Sequence, residues 1–195
     1  IATALVLVRG RFPGKRLLDT LIDLPFAVSP VVIGLALLLL YGRDGWFGSV
    51  LLDHGIRVLF SVPGIVLATV FVSLPFVARE VAPVLREIGD EQEQAATTLG
   101  ASAWQTFRRV TLPAIRWGVA YGVVLSVARA IGEFGAVSIV SGKIAGETQT
   151  LTILVEQRYG NFDVAGAYAA SALLALIALL TLLGMTLVSS RRTHG

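Results

Sequence analysis

Apolar residues along this chain come in long unbroken blocks, not in the alternation of a strand or the stripe of a surface helix. Nineteen consecutive residues between Asp23 and Arg43 carry no Asp, Glu, Lys or Arg; the same holds for 21 residues between Arg57 and Arg79 and for 27 between Asp163 and Arg191. A helix needs about 20 mostly apolar residues to cross a bilayer, so the blocks predict spans over about 24–41, 58–80 and 164–188. A fourth span, about 113–138, is equally apolar but contains Arg129 and Glu133. Prolines at 25, 30, 63 and 75 fall inside these blocks; membrane helices tolerate them because neighbouring groups re-satisfy the freed carbonyls. The helix of the second span is expected to continue through 81–88, where Val81, Val84, Leu85 and Ile88 keep one apolar face.

Residues 1–8, IATALVLV, precede Arg9. Eight helical residues reach only about 12 Å. Arg9, Arg11, Lys15 and Arg16 stand where a signal peptide would place small cleavage-site residues. The opening is therefore expected to be the end of a further span, in a chain that is N-terminally truncated, with one membrane domain over 1–190. The fold class expected is all-α, a polytopic membrane helical bundle.

Composition supports a bilayer environment. The 195 residues are 55% hydrophobic and 15% charged, against about 25% charged in soluble domains. The net charge of +3 invites a nucleic-acid partner, but the distribution of the basic residues excludes one. Four lie in 9–16, five in 79–116 (Arg79, Arg86, Arg108, Arg109, Arg116) and two at Arg191 and Arg192; the alternate segments hold Arg43, Arg57, Lys143 and Arg158. Eleven against four follows the positive-inside rule and places 9–16, 79–116 and the C-terminus in the cytoplasm, with 42–57 and 139–163 external.

One cytoplasmic stretch is unlike a plain connector: EQEQAATTLGASAWQTFRRVTLP, residues 91–113. Asp90 with Glu93 at the third helical position predicts a capped helix, and Gly100 is a left-handed terminator for it. Ser102 with Gln105 predicts a second capped helix, to which Trp104 and Phe107 give an apolar side. Pro113 suits the first turn of the next span. Ala95 and Ala96 leave room for another protein to approach closely. On the residues alone, a docking helix and a connector packed on its own bundle both remain open.

The same stretch resembles the cytoplasmic EAA loop of ABC importer permeases: Glu-Ala-Ala, three residues, Gly, nine residues, Ile, one residue, Leu-Pro. Ala95, Ala96, Gly100, Val110, Leu112 and Pro113 fall in that register, with Gln94 replacing the leading Glu and Val110 the Ile; Glu93 or Glu91 lies close enough to supply the missing charge. The segments LIDLPFAVSPVVIGL, VARAIGEFGAVSIVSG, GETQTLTILVEQRYGNFD and AYAASALLALIALLTL extend the resemblance over essentially the whole chain, to the W-type permeases of sulfate/thiosulfate importers. Molybdate/tungstate permeases share the ARAIGEFGA and GET-type segments and are the alternative.

The resemblance implies a type-1 importer permease in a bacterial cytoplasmic membrane, with a coupling helix pair over 90–112 built from Glu93, Gln94, Ala95, Ala96, Gly100, Val110, Leu112 and Pro113. It also implies separate ABC ATPase subunits carrying ATP and Mg, a second permease of the T type in a heterodimer, and an extracytoplasmic sulfate-binding protein. The residues agree that the ATPase is separate: Gly142-Lys143 is followed by Ile144 and lacks the upstream glycine of a phosphate-cradling loop. No cofactor is expected on this chain.

Arg129 and Glu133 share one helix face, about 24 Å beyond Pro113. Ionisable residues at that depth mark function by default; a neutralising pair or gate and a direct substrate contact both fit. Ser138, Ser141 and Lys143 follow at the outer mouth with hydroxyls, N–H groups and a cation suited to an oxyanion. The two histidines, His54 and His194, are far apart, so no metal site is expected. Neither GxSxG nor HExxH occurs, which weighs against an intramembrane hydrolase, and no catalytic residues are expected.

The 195 residues contain no Cys, so Ser102→Cys and Thr148→Cys each supply one reactive position. In intact cells an impermeant maleimide should reach Thr148→Cys and should reach Ser102→Cys only after permeabilisation. Labelling of Ser102→Cys from outside would invert the topology.

Overall fold

The computed structural model describes residues 1–10 and 12–190, with side chains through Gly184. Arg11, Arg191, Arg192 and His194 lie outside the described residues. Among those described, the regular structure is entirely helical: α1 (Ala2–Arg9), α2 (Lys15–Ala27), α3 (Pro30–Tyr41), α4 (Gly48–Asp53), α5 (Val62–Ile88), α6 (Glu91–Thr98), α7 (Ala103–Thr106), a π turn (Phe107–Thr111), α8 (Leu112–Ile131), α9 (Gly135–Val140), α10 (Leu151–Gly160) and α11 (Val164–Ser190). Among the described residues three helical stretches are long and apolar enough to cross a membrane, Val62–Ile88, Ala103–Ile131 and Val164–Gly184, and the bent pair Lys15–Ala27 with Pro30–Tyr41 is a fourth if taken as one span.

The chain divides into two compact units, each discontinuous in sequence. The first comprises Ile1–Ile22, Pro75–Ser126 and the segment from Leu182. Its core joins Ala4 of α1 to Val81, Ala82 and Leu85 of α5 and Ile115 of α8, with Leu7, Ile22 and Ala78 packed nearby. The apolar face expected over 81–88 is thus the face that α5 buries. Gly118 and Gly122 lie four residues apart on α8 and let the two helices approach. A Cβ at Gly118 would lie 2.9 Å from Val84 Cγ2, and one at Gly122 would lie 3.2 Å from Val77 Cα. Small residues at this spacing suit close helix packing in lipid, where burial from water supplies no drive.

The second unit comprises Asp23–Leu74 and Val127–Thr181. Its core combines Ile33 and Leu37 of α3, Leu59, Ala68 and Val72, and Ala136 and Val140 of α9. Two expected spans are broken here. The stretch 24–41 is not one straight helix, because α2 and α3 meet at 112° across Val28-Ser29. Ser29 precedes Pro30 and takes φ −58°, ψ 136°, as expected for a residue that the proline ring bars from the α region.

The stretch 113–138 ends its long helix at Ile131 and restarts as α9. The span expected from 58 begins at Val62 instead, because Phe60 takes φ 55° while its N–H donates to the Val140 carbonyl at 2.7 Å. The external segment 139–163 contains α10. Within it Asp163 caps α11, accepting from the Gly166 N–H at 2.9 Å and from Arg158 Nη1 at 2.8 Å. The Gly166 N–H, then the Arg158 guanidinium, hold its carboxyl below the usual carboxylate range. The cap therefore acts above that range and is lost as pH falls through the lowered value. Thr148 is buried, so exposed Ala145 is the better external labelling position.

One close contact between helices of the second unit is at Gly34. A Cβ there would stand 2.9 Å from both the Ala136 carbonyl oxygen and Ile139 Cβ, whereas one at Gly184 would meet nothing within 4 Å. Overpacking a close-fitted site typically costs about 1–3 kcal/mol. Gly34→Val should therefore lower the thermal midpoint of the detergent-solubilised protein well below that of Gly184→Val. Equal midpoints for the two variants would contradict this packing.

Candidate functional site

In the first unit, residues 90–113 form a helix, a glycine turn and a second helix. Gly100 takes φ +86° with open space around it, a conformation that costs a residue with a Cβ about 1 kcal/mol or more. The Ser102 cap forms as the sequence predicts: Ser102 Oγ accepts from the Gln105 N–H at 3.3 Å, and Gln105 Oε1 accepts from the Ser102 N–H at 2.9 Å.

Two expectations fail here. Asp90 makes no side-chain cap, its backbone at φ −117°, ψ 4° lying outside the extended region from which a capping side chain reaches the first turn. Nor does the second helix stop before the span. It runs through the π turn into α8, giving one helical stretch over Ala103–Ile131. Pro113 has no N–H and its ring crowds the carbonyl one turn back; the wider turn, in which the Leu112 N–H donates to the Phe107 carbonyl, stands directly before it.

Glu93 ties the hairpin down. Its Oε2 accepts from Arg9 Nε at 3.0 Å and its Oε1 from Thr111 Oγ1 at 2.8 Å. Arg9 also donates to the Gly89 carbonyl. Three elements distant in sequence, the end of α1, the end of α5 and the π turn, are thereby fastened to α6. Both charged side chains are about three-quarters buried. Hydrogen bonds to charged groups contribute about 1.5–3 kcal/mol each, well above an exposed pair. Val110 lines a small crevice beneath α6 together with Glu93 and Ile115.

The other side of α6 is open. No residue of this helix is buried; Gln94 and Ala95 are exposed and Ala96 is half-buried. Leu99 is 89% exposed and Trp104 66% exposed, with the Trp104 and Phe107 rings tilted against each other at 5.6 Å. An apolar surface is thus presented on a hairpin that is anchored from behind by charge. Arg9 and Thr111 carry no signal in the sequence, since their partner is 84 and 18 residues away. Leu99 was legible as the residue one turn beyond Ala95.

In the second unit, Arg129 and Glu133 meet as their spacing predicts, with Nη1 and Oε2 2.6 Å apart. Glu133 is only 3% exposed. Its Oε1 accepts from the Ala136 N–H at 3.0 Å, and its own carbonyl accepts from Thr152 Oγ1 at 3.0 Å. The carboxylate therefore caps α9 and neutralises Arg129, and the backbone carbonyl of the same residue anchors α10, at the point where the expected span is interrupted.

Ser138, Ser141 and Lys143 are engaged within the chain. Ser138 Oγ donates to the Gly135 carbonyl at 2.9 Å. The buried Ser141 Oγ accepts from the Lys143 N–H at 3.2 Å. The Lys143 ammonium donates to both oxygens of Glu156, at 2.8 and 2.9 Å. They form the frame of a tight turn, with Gly142 and Lys143 both at positive φ, rather than an unpaired oxyanion cradle.

Comparison with known proteins gives a consistent picture. The family described as "binding-protein-dependent transport system inner membrane component" matches residues 1–194. The chain is 55% identical over 194 residues to the sulfate transport system permease protein CysW of Synechocystis, covering all of this chain and 70% of that protein. It is 43% identical over 188 residues to the sulfate transport system permease protein CysT of Escherichia coli, covering 96% of this chain and 68% of that one. Among solved structures, a bacterial ABC transporter involved in the import of alginate superposes with a TM-score of 0.71 at 17% identity, over 97% of this chain and 71% of the other. That likeness speaks to the fold.

The Glu93 tie has a measurable consequence. Glu93→Gln should loosen α6, raising amide hydrogen exchange over 91–98 by about tenfold, the equivalent of one charged hydrogen bond. Gln94→Ala, on the open side, should leave exchange unchanged. Equal protection in Glu93→Gln and the parent protein would show that the tie does not hold the hairpin.

Proposed function

The chain belongs to the family of binding-protein-dependent transport system inner membrane components, and on that premise we propose that it is the W-type permease subunit of an ATP-driven importer of sulfate and thiosulfate. The observation that carries the substrate is the 55% identity, across the whole chain, to a permease named for sulfate. It favours sulfate over molybdate, and its margin over the 43% identity to a T-type permease supports the W place in a heterodimer whose other half is of the T type.

The chemistry of this chain is positioning rather than bond making. ATP and Mg belong to separate ATPase subunits, and an external binding protein delivers the anion. The open side of α6, with Ala95, Ala96, Leu99 and Trp104, is the surface an ATPase subunit takes hold of. Closure of the ATPase pair drags α6, and the Glu93 tie carries that displacement into α1, α5 and the π turn at the base of α8. Glu133 would repel a dianion, and its carboxylate is already committed to Arg129 and the start of α9. The pair therefore serves to hold and gate the interrupted span, while the part of the Arg129 guanidinium left open to solvent is the positive element an approaching anion meets.

Expressed at full length with its partners, the chain should restore uptake of labelled sulfate to cells lacking their sulfate importer. Gly100→Val and Ala96→Glu should insert normally and lose both uptake and sulfate-stimulated ATP hydrolysis. Recovery of molybdate uptake without sulfate uptake would move the substrate. Wild-type coupling in both variants would remove the docking role of α6.

A further inference from the structure

Within the second unit, α10 is bonded to the chain on both sides of α9. Thr152 Oγ1 donates to the Glu133 carbonyl at 3.0 Å, just before α9, and Gln157 Nε2 donates to the Lys143 carbonyl at 3.1 Å, just after it. Ile153, between these anchors, is fully buried. The proton count fixes the direction of the bonds at the first anchor. A hydroxyl has one proton and a carbonyl can only accept, so the Thr152 proton is spent on Glu133. The 2.9 Å contact between the Thr150 and Thr152 hydroxyls is therefore donated by Thr150, whose oxygen accepts in turn from the Ile153 N–H at 3.4 Å. A directed chain runs from the first turn of α10 through two hydroxyls to the backbone of Glu133, and members of such a chain strengthen one another.

That backbone is otherwise lightly held. Between the end of α8 at Ile131 and the start of α9 at Gly135, the Glu133 N–H donates to the Ala130 carbonyl at 3.1 Å. A Cβ at Gly132 would meet only the Arg129 carbonyl oxygen, at 3.9 Å, so close packing at Gly132 does not set the path of the break. The Glu133 side chain depends on that path. Its Oε1 accepts from the Ala136 N–H at 3.0 Å, while its Oε2 stands 2.6 Å from Arg129 Nη1 and makes no hydrogen bond. A carboxylate held by one amide on one side and by charge alone on the other is steered by where its own backbone lies.

We propose that Thr152 is a positioning residue for the Arg129–Glu133 pair. Its hydroxyl sets the Glu133 backbone, and through it the carboxylate and the share of the Arg129 guanidinium left facing solvent. α10 lies in 139–163, the segment that the basic bias places outside. A displacement of this helix reaches the pair through two hydroxyls without passing through α9. The role assigned to the pair rests on the proposed reading of it as a gate in an anion importer; the hydrogen-bond relay does not.

The test uses the full-length chain assembled with its partner subunits. Thr152→Val keeps the shape of the side chain and removes the hydroxyl, whereas Thr152→Ser keeps the hydroxyl. In Thr152→Val the Ala136 amide, which the carboxylate caps, should exchange with solvent about fivefold faster, the equivalent of one neutral hydrogen bond. In proteoliposomes the same variant should hydrolyse about fivefold more ATP per sulfate taken up, since a mis-set gate leaves closure of the ATPase pair unmatched by passage of the anion. That ratio does not depend on how much of the complex is folded. Thr152→Ser should match the parent in both measurements. In a Glu133→Gln background Thr152→Val should shift the ratio by less than about twofold, because residues that act through one another are not additive. An unchanged Ala136 amide or an unchanged ratio in Thr152→Val would overturn the proposal, as would a Thr152→Ser variant equally impaired. So would the full shift in the Glu133→Gln background, which would show that Thr152 acts apart from the pair. The exchange measurement needs no transported anion and decides the relay by itself; sulfate uptake by the parent complex tests the transport reading separately.

Discussion

A backbone amide or carbonyl left unpaired away from water costs several kcal/mol, and this chain interrupts a helix where the polar groups are buried in protein. Glu133 is the group on which the interruption depends. Its carboxylate supplies the acceptor for the first turn of α9, its charge is matched by Arg129, and its carbonyl takes up the Thr152 hydroxyl. An uncompensated carboxylate at 3% exposure would be strongly destabilising; here Oε1 takes the Ala136 N–H, while Oε2 makes no hydrogen bond and is compensated by the Arg129 charge alone. The same rule governs the other break, where the Phe60 N–H, freed by a left-handed residue, finds the Val140 carbonyl. Irregular backbone survives in such a setting only where protein surrounds it, and the close fit of Gly34 and Gly135 against α9 and Pro30 supplies that surrounding.

The first unit solves a different problem with similar means. A hairpin that presents Leu99 and Trp104 to its surroundings gains little from its own apolar packing, so something else must orient it. The Arg9–Glu93–Thr111 tie does so, drawing on α1, α5 and the π turn at once. This arrangement also gives a physical meaning to the departure at the leading position of the EAA-like register. The residue in that register, Gln94, faces outward, while the charge resides one position earlier and faces inward. A hairpin fixed by charge and faced with apolar groups suits surface recognition that must also transmit force, since the tie connects it to the base of α8 without a flexible link.

The helix periods, the apolar blocks and the basic asymmetry were legible in the chain itself because each is a local or compositional property. A bilayer demands about 20 apolar residues per crossing and an excess of Lys and Arg on one side. Gly100 and the Ser102–Gln105 box were equally legible, because a left-handed turn and a capping pair are decided within four residues. Proline punctuation did not reveal the bend: Pro25 and Pro30 are compatible with one span over 24–41, and the break at Ser29-Pro30 with its 112° angle depends on what α3 packs against. The GxxxG spacing at Gly118 and Gly122 was present in the letters, but its partner, the Val77–Val84 face of α5, is a fact of packing.

What the sequence by itself determined was the solvent of this protein, its all-helical class and the position of the hairpin. What only the tertiary structure decided was which polar groups meet. Glu93 could cap its own helix or reach elsewhere, and Arg9, 84 residues away, settled it. Lys143 could serve an anion or a carboxylate, and Glu156 on α10 took it. The division into two units and the interruption at Glu133 belong to the same class. The physical reason is that secondary structure and membrane insertion answer to neighbours along the chain. Charge pairing and close helix crossing answer to neighbours in space, and one residue type can satisfy several such neighbours equally well until the fold chooses among them.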